Sequence, residues 1–398
     1  MSECDIVAAG HLCLDMIPRF SDDEKRRVSE ILAPGSLTKV GECVIGTGGA
    51  VSNTGIALKK MGLRVIFMGK IGDDTFGKAV LAKMAEDGCD EGIIVDPDSD
   101  TSYTIVISPP NSDRLFLHNH GANDTFCADD LDYEQLEKAR AFHFGYPSLM
   151  RAMVENDGAQ LVDMFRRVKE RGLTTSLDMS QPDPESFAGK ANWPVIFEKL
   201  LPHVDIFLPS VEEILLCLKR DSFLQKRKVS AEKGCDMVDL FKPDEYAELS
   251  DRLLCFGTGM TTLKSGYRGI YLRTGSEERL SRFGKAKPAD MGNWANREVW
   301  EPVYRVDKIA SAVGSGDSAI AGFLCSFLKG QSLEKSLQYA TAAGKLNVMV
   351  HDATSGIKSF DEITALLAEW EKAPFQIDAP GWREDSRSGL WYGPHDHD

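Results

Sequence analysis

The chain has 398 residues, enough to bury one large core or two smaller ones, and its 42% hydrophobic and 27% charged residues are ordinary for a globular protein. A formal net charge of −15 excludes a broad basic face, so we expect no nucleic-acid partner and no membrane partner. The nine cysteines include no C-x-x-C pair, which is typical of a reducing cytoplasm. The start carries His11 and Asp15 within its apolar run, which predicts a first strand rather than a signal peptide.

Taken in chain order, the periodicity of apolar residues predicts strands that alternate with helices. The predicted strands lie at 5–9, 37–45, 64–72, 102–108, 113–121, 141–147, 174–180 and 204–210, with a hairpin around Gly266 and Gly269. The predicted helices lie at 53–61, 77–87, 153–172, 194–201, 319–328, 332–350 and 360–372. This alternation favours an α/β fold with a doubly wound, mostly parallel sheet flanked by helices. We expect one domain over residues 1–372, with a polar insertion at about 220–250 and a weakly ordered tail over 373–398.

The stretch from Ala310 to Gly330 combines a glycine turn, a carboxylate and an apolar helix. Gly314-Ser315-Gly316 precedes Asp317, and free backbone N–H groups at such a helix start favour an anion. The Asp317 carboxylate has two interpretations. It caps the helix, or it accepts a proton from a hydroxyl group that attacks a bound phosphate.

Three other patterns resemble motifs that carry a specific chemistry. Residues 72–78, GDDTFGK, nearly match a P-loop, but Ala79 replaces its Ser or Thr, so a strand-to-helix turn is the better interpretation. The spacing Gly314-x-Gly316-x-x-Ala319 also fits a dinucleotide fingerprint, although Asp317 would repel the pyrophosphate. His118 and His120 form a candidate metal pair, for which a substrate-facing or packed pair is the alternative.

Short polar side chains stand where strands of the predicted sheet end. Asp15 and Asn53 occupy such positions. A carboxylate and an amide together can hold the vicinal hydroxyls of a ligand. The alternative interpretation of each is a turn or helix-start residue. Glu213 opens the helix after VDIFLPS and is a candidate to hold a water of the Mg²⁺ that accompanies ATP. Its alternative is a favourable carboxylate at a helix start.

Two separate motifs together resemble the ribokinase/pfkB family of carbohydrate kinases, over roughly residues 3–370. The first is GG-x-x-x-N followed by G-x-I-G-x-D-x-x-G, which here spans Gly48 to Asn53 and Gly69 to Gly77. The second is G-A-G-D with a following A-G-F, which here spans Gly314 to Phe323. The resemblance implies a ribokinase-like fold with a small β-sheet lid, whose strands would come from about 14–18, 37–45 and 102–120.

The resemblance also implies roles for individual residues. Asp317 would be the catalytic base, and the backbone of Gly314, Ser315 and Gly316 would form the anion hole. The sugar would be held by Asp15, Gly48, Gly49 and Asn53, with His118 as a further candidate from the lid. The nucleotide would be lined by Lys264, Gly266, Gly269 and Asn347, with Mg²⁺ near Glu213. A homodimer through the lid is a further expectation.

Three positions depart from the family pattern. Ser210 replaces the Asn of N-x-x-E, and Ser311 stands where many members carry an Asp that supports potassium, so no monovalent cation is predicted. Ala50 stands where phosphosugar kinases often carry a Lys, although the G-S-G-D-S spelling occurs in those enzymes. We therefore predict an ATP-dependent kinase for an unphosphorylated sugar or related polyol. The alternatives are a phosphosugar or nucleoside kinase, a non-catalytic sugar- or nucleotide-binding regulator, and a dinucleotide oxidoreductase.

Overall fold

The computed structural model describes residues 4–20, 31, 34–35, 37–109 and 115–397. Its strands are β1 (Ile6–Gly10), β2 (Cys13–Pro18), β3 (Cys43–Gly48), β4 (Val65–Gly72), β5 (Ile93–Asp96), β6 (Tyr103–Ile107), β7 (Leu115–Asn119), β8 (Ala141–Gly145), β9 (Thr174–Leu177), β10 (Ile206–Phe207), β11 (Met260–Lys264), β12 (Ile270–Thr274), β13 (Glu298–Glu301), β14 (Arg383–Glu384) and β15 (Trp391–Tyr392). Its α-helices are α1 (Ala50–Lys60), α2 (Thr75–Glu86), α3 (Tyr133–Glu137), α4 (Arg151–Glu170), α5 (Trp193–Leu200), α6 (Val211–Leu218), α7 (Arg220–Lys233), α8 (Pro243–Cys255), α9 (Glu277–Ser281), α10 (Met291–Trp294), α11 (Ser315–Leu328), α12 (Leu333–Val348) and α13 (Phe360–Leu367).

The strands form two sheets. The large sheet has the order β14-β15-β13-β12-β11-β10-β9-β8-β1-β4-β5, and the small one has the order β3-β2-β6-β7. All neighbours from β11 through β10, β9, β8 and β1 to β4 are parallel, so their carboxyl ends meet at one edge. The predicted α/β architecture with a small second sheet is confirmed.

Apolar burial explains why the two long C-terminal helices lie against the sheet. In α11, Ile320, Phe323 and Leu324 are buried, and the aromatic ring of Phe323 contacts that of Trp294. The Gly322 position has no side chain because an ideal Cβ there would lie 2.3 Å from the Tyr339 carbonyl oxygen of α12. This close packing fixes the start of α11, where the candidate base Asp317 lies.

The small sheet corresponds to the predicted lid, with different bounds in one strand. The expected strand at 37–45 is β3, which runs from Cys43 to Gly48 and pairs antiparallel with β2. The predicted hairpin is β6 and β7, whose pairing joins Tyr103 to Asn119. Residues 110–114 of the connection between these two strands lie outside the described residues. A homodimer through this sheet stays a prediction.

The two segments with weak sequence patterns are both folded. The polar stretch at 220–250 consists of α7, the start of α8 and a short 3₁₀ helix between them. Residues 373–397, for which we expect a weakly ordered tail, include β15, which pairs with β13, and the fully buried Leu390. The Asp396 carboxylate accepts a hydrogen bond of 2.8 Å from the buried Arg297 guanidinium group, which fixes the end of the tail.

In the described part of the chain, no helix has both the length and the apolar composition needed to cross a membrane.

Candidate active site

A cavity of about 950 Å³ lies between the small sheet and the carboxyl edge of the large sheet. Strands β2, β6 and β7 supply one wall, and the ends of β1 and β8 together with the starts of α1 and α11 supply the opposite wall. Of the residues predicted from the sequence, six line this cavity: Asp15, Gly49, Asn53, His118, Gly314 and Asp317. These residues are far apart in sequence, so the folded sheet is what brings them together.

Asp317 lies in the first turn of α11, buried to 3% exposure. Each of its carboxylate oxygens accepts one hydrogen bond: the Tyr146 hydroxyl donates to Oδ1 at 2.6 Å, and the Asn53 amide Nδ2 donates to Oδ2 at 2.9 Å. Burial raises the pKa of the Asp317 carboxyl, although the hydrogen bonds from Tyr146 and Asn53 oppose that shift. A buried carboxylate with a raised pKa is suited to accept a proton.

The Gly48-Gly49 turn fits closely around the end of β1 and the start of β2. Gly49 has a φ of 91°, and an ideal Cβ there would lie 2.4 Å from the His11 carbonyl oxygen. Gly49 therefore requires glycine, whereas a Cβ at Gly48 would lie 2.4 Å from Oδ2 of Asp15 and would displace that carboxylate. The turn thereby brings the Asp15 carboxylate to the cavity wall. Burial raises the pKa of Asp15 to about 6.

The glycine turn before α11 has the geometry of an anion site. Gly314 has a φ of 75°, lines the cavity and accepts a hydrogen bond from the backbone N–H of Ser318. Among the described residues, no side chain caps the N-terminus of α11. The backbone N–H groups of Gly316 and Asp317 in its first turn have no backbone acceptor among the described residues, whereas the N–H of Ser315 donates to the Ala312 carbonyl oxygen at 3.4 Å. The helix dipole adds positive potential.

Two histidines join the small sheet to the large one across the cavity. The Nε2 atoms of His11 and His118 are 3.2 Å apart, and Nδ1 of His118 lies 3.0 Å from the Thr104 hydroxyl. Burial, together with the nearby His120, lowers the pKa of His118 to about 4, and burial also lowers the pKa of His11. Both histidines are therefore neutral hydrogen-bonding groups near pH 7 rather than cations. Of the predicted pair, His118 faces this cluster, while His120 Nδ1 lies 2.7 Å from the Leu149 carbonyl oxygen.

Lys264 lies in a cluster of buried charged side chains. Its ammonium group donates to Oδ1 of Asp178 at 2.6 Å and to the Leu208 carbonyl oxygen at 2.5 Å. An ideal Cβ at Gly316 would lie 3.5 Å from its Cε, so the lysine packs directly beneath the anion turn. Burial opposes the charged lysine, yet the carboxylates of Asp178 and Glu213 hold the pKa of Lys264 above its ordinary value. Lys264 thus neutralises buried carboxylates, and its place beside the nucleotide stays a prediction.

Glu213 lies next to this buried charge cluster. Its Oε2 accepts a hydrogen bond of 2.6 Å from the backbone N–H of Ser210, and the Ser210 hydroxyl accepts one from the Glu213 N–H at 3.2 Å. Burial raises the pKa of Glu213, and the charge of Asp317 raises it further. Ser210 therefore takes a capping role at the start of α6, and Glu213 is both a helix-start residue and a member of the cluster.

The donor set at this position fits a magnesium ion that arrives with its nucleotide. Asp178 and Glu213 are oxygen donors, which Mg²⁺ prefers, and mutual repulsion disfavours ionisation of both at once. Within the described ranges, no group of three His, Cys, Asp or Glu side chains could hold a metal on its own. Magnesium bound through one or two carboxylates, water and substrate phosphates needs no such group.

The other predicted nucleotide residues lie outside the cavity. Gly266 and Gly269 form the turn between β11 and β12, with φ values of 53° and 99°. Nδ2 of Asn347 donates to the Ala353 carbonyl oxygen at 2.8 Å, and its Oδ1 is buried without a partner among the described residues. An ideal Cβ at Gly314 would lie 2.6 Å from the Ala353 Cβ, so Asn347 supports the anion turn from behind.

The sequence prediction missed Tyr146. This residue follows β8 and has a left-handed backbone, with φ 68° and ψ 39°, directly before Pro147. Such a conformation costs a non-glycine residue on the order of 1–3 kcal/mol, and its persistence at a site is a sign of function. A position at the carboxyl end of a predicted parallel strand was a usable signal, because ligands bind at that edge.

Comparisons with known proteins agree with this geometry. The family described as pfkB family carbohydrate kinase matches residues 6–239 and 295–359. Probable fructokinase-4 from Arabidopsis thaliana is 30% identical over 373 residues, which span 91% of this chain and 96% of that protein. The structure of Arabidopsis thaliana ribokinase complexed with ribose and ATP is 18% identical, with a TM-score of 0.66, and the match covers 92% of this chain and 98% of that one.

A second solved structure shares the fold and contains a metal. It is a protein assigned as ribokinase II from E. coli, in complex with ATP and Mg²⁺. It is 18% identical, with a TM-score of 0.63, and the match covers 92% of this chain and 99% of that one. The fold and the family match define an ATP-binding phosphotransferase. The chain belongs to the pfkB family of carbohydrate kinases.

The buried cluster predicts a large effect of Lys264→Met on stability. Removal of the ammonium group leaves the Asp178 and Glu213 carboxylates without their cation, so the free energy of unfolding should fall by about 3–5 kcal/mol. Urea denaturation at pH 7.5 measures this change. Lys78→Met is the control, because Lys78 is 77% exposed and its contact with Asp73 should contribute less than about 1 kcal/mol. Equal losses in the two variants would contradict the electrostatic role of Lys264.

Proposed function

We propose that the chain transfers the γ-phosphoryl group of Mg-ATP to a hydroxyl of an unphosphorylated sugar or related polyol. The observation that supports this most directly is the Asp317 carboxylate, which lies at the cavity wall in the first turn of α11. A base at this position lies next to backbone N–H groups that favour phosphate. The acceptor hydroxyl and the transferred group are thereby held next to each other.

The reaction needs few groups from the protein. The sugar hydroxyl transfers its proton to the Asp317 carboxylate as its oxygen attacks the γ-phosphorus, and the bond from that phosphorus to the ADP oxygen breaks. The N–H groups of Ser315 and Gly316, with Gly314 completing the turn, stabilise the negative charge of the transferred group. When bound, Mg²⁺ neutralises phosphate charge. Glu213 would hold the magnesium ion through water, and Asp178 lies in the same cluster as Glu213.

The sugar and nucleotide would occupy opposite sides of the anion turn. Asp15 and Asn53 would hold sugar hydroxyls, Gly48 and Gly49 leave room for them, and His118 adds a neutral partner from the small sheet. On the other side, Gly266, Gly269 and Asn347 would line the nucleotide. Because both substrates bind in fixed positions, catalysis would come from orientation and electrostatics rather than from a covalent intermediate.

The charge of the cavity favours a substrate without a phosphate. Asp15, Asp124, Asp183 and Asp317 all line it. Among its described lining residues, Arg151 is the one lysine or arginine, and its Nε donates to Glu155 at 2.5 Å. Ala50 is fully buried outside the lining, and Lys70 pairs with Asp96 and Asp130 instead. A phosphate would add nearly two negative charges to a site that already repels them.

Asp317→Asn tests the assignment of the base. The amide keeps the shape of the side chain but cannot accept the proton, so kcat should fall by at least about 10²-fold, with ATP affinity changed little. Steady-state kinetics and a direct nucleotide-binding titration measure the two quantities. Asp129→Asn is the matched control, because its side chain is 84% exposed. Full turnover by the Asp317→Asn variant would show that Asp317 is not the base.

A panel of acceptors tests the substrate class. Fructose, ribose and other neutral sugars should exceed their monophosphates by at least about tenfold in kcat/KM, equivalent to about 1.4 kcal/mol. A coupled ADP-release assay at fixed Mg-ATP measures this, with nucleosides as a third arm. Turnover of phosphosugars alone would contradict the charge argument and make Arg151 the next residue to substitute. ATP binding without turnover of any acceptor would instead support a regulator.

A further inference from the structure

We propose that Tyr146 is a positioning residue for the catalytic base, a role that rests on the proposed function of Asp317. Its hydroxyl lies 2.6 Å from Oδ1 of Asp317, and no other residue of β8 or its exit contacts that carboxylate by a described hydrogen bond. Tyr146 is 171 residues away from Asp317 in sequence, so the contact forms only in the folded site.

Tyr146 and Asn53 hold the carboxylate from two separate elements. The phenol approaches from the end of β8 and binds Oδ1, whereas the amide approaches from α1 and binds Oδ2. With one donor on each oxygen, the plane of the carboxylate is fixed. A carboxylate oxygen accepts more than one hydrogen bond, so each oxygen keeps capacity for the proton of the sugar hydroxyl.

The phenol is itself held rigidly. The left-handed backbone of Tyr146 directs its side chain toward α11. The next residue is Pro147, whose ring fixes its own φ angle. The Tyr146 carbonyl accepts a hydrogen bond from the Leu149 N–H at 3.0 Å, which closes the turn. The ring lies 5.9 Å from the His11 ring, at an angle of 41°. A donor fixed in this way costs little reorganisation when the reaction occurs.

The chemistry of the phenol suits this role. Burial raises the pKa of Tyr146 well above its ordinary value, and the charge of Asp317 raises it further, so the hydroxyl stays protonated. It therefore donates to Asp317 and does not compete with it as a base. Since a hydrogen bond to the charged form stabilises that form, Tyr146 favours the ionised, proton-accepting state of Asp317.

Several charged groups also shift the pKa of the Asp317 carboxyl, some downward and some upward. Lys264 favours the ionised carboxylate, whereas Asp15, Asp178 and Glu213 disfavour it. The hydrogen bonds from Tyr146 and Asn53 add to the effect of Lys264. Removal of the phenol hydroxyl should therefore shift the balance toward the protonated acid, which cannot serve as a base.

Tyr146→Phe removes the hydroxyl and keeps the ring. We expect the pH at which kcat falls on the acid side to move upward by about one unit, because the pKa of Asp317 rises when its donor is lost. At a pH well below the acid-side inflection, kcat should fall by about tenfold, with a smaller loss as the pH rises, while the KM for the sugar should change by less than about threefold. The assay uses the full chain, the best neutral sugar from the acceptor panel and saturating Mg-ATP, over pH 5–9.

Tyr133→Phe is the matched control, because its hydroxyl donates to the Ala128 carbonyl oxygen away from the cavity. A Tyr146→Phe profile that superimposes on the wild-type profile would overturn the inference. A Tyr146→Phe variant that fails to fold, as judged by circular dichroism, would also overturn it, because the residue would then be structural.

The Asp317→Asn variant separates the two proposals. If that variant keeps full turnover, the proposed function fails. If it loses turnover while Tyr146→Phe leaves the pH profile unchanged, only the role of Tyr146 fails. The ¹³C carboxyl chemical shift of labelled aspartate, followed over pH, measures the pKa of Asp317 directly. This pKa should be higher in Tyr146→Phe than in wild type. Equal pKa values would count against the inference.

Discussion

The Lys264 ammonium group offsets the charge of buried carboxylates beneath the anion turn, and the geometry of the site depends on that compensation. Its hydrogen bonds to Asp178 and to the Leu208 carbonyl oxygen tie the ends of three neighbouring strands together. An unpaired buried carboxylate would be costly, so the lysine stabilises the arrangement in which Asp317 and Glu213 lie close by. In a protein with a net charge of −15, this local compensation supports the phosphate site that we propose at the start of α11.

The orientation of the carboxylate at the centre of the site depends on residues distant in sequence. Asn53 lies 264 residues and Tyr146 lies 171 residues from Asp317, yet both donate to it. Their elements, α1 and the exit of β8, approach closely because residue 145 is a glycine. An ideal Cβ at Gly145 would lie 2.1 Å from the Ala50 Cβ, which leaves room for glycine alone. Close packing next to the two donors therefore sets the position of both.

Short sequence patterns predicted the turns, helices and strands, because these depend mainly on neighbouring residues. The glycine turns before Asn53 and Asp317 carry backbone requirements that are visible in the sequence, and the alternating elements predicted the parallel sheet. The partner of Lys264 could not be predicted, because β9 and β11 are separated by β10 and by more than 80 residues. The packing of the tail could not be predicted for a similar reason: Leu390, Trp391 and Tyr392 form a short apolar run in a polar stretch, and β15 pairs with the distant strand β13.

A crystal structure with Mg²⁺, a non-hydrolysable ATP analogue and a neutral sugar that the enzyme phosphorylates tests the central claim most directly. The account predicts that one sugar hydroxyl lies about 2.6–3.2 Å from an Asp317 carboxylate oxygen and faces the γ-phosphate. The hydrogen bonds from Tyr146 and Asn53 to that carboxylate should be retained. A reacting hydroxyl that instead contacts His118, with Asp317 beyond hydrogen-bonding reach of the sugar, would contradict the account.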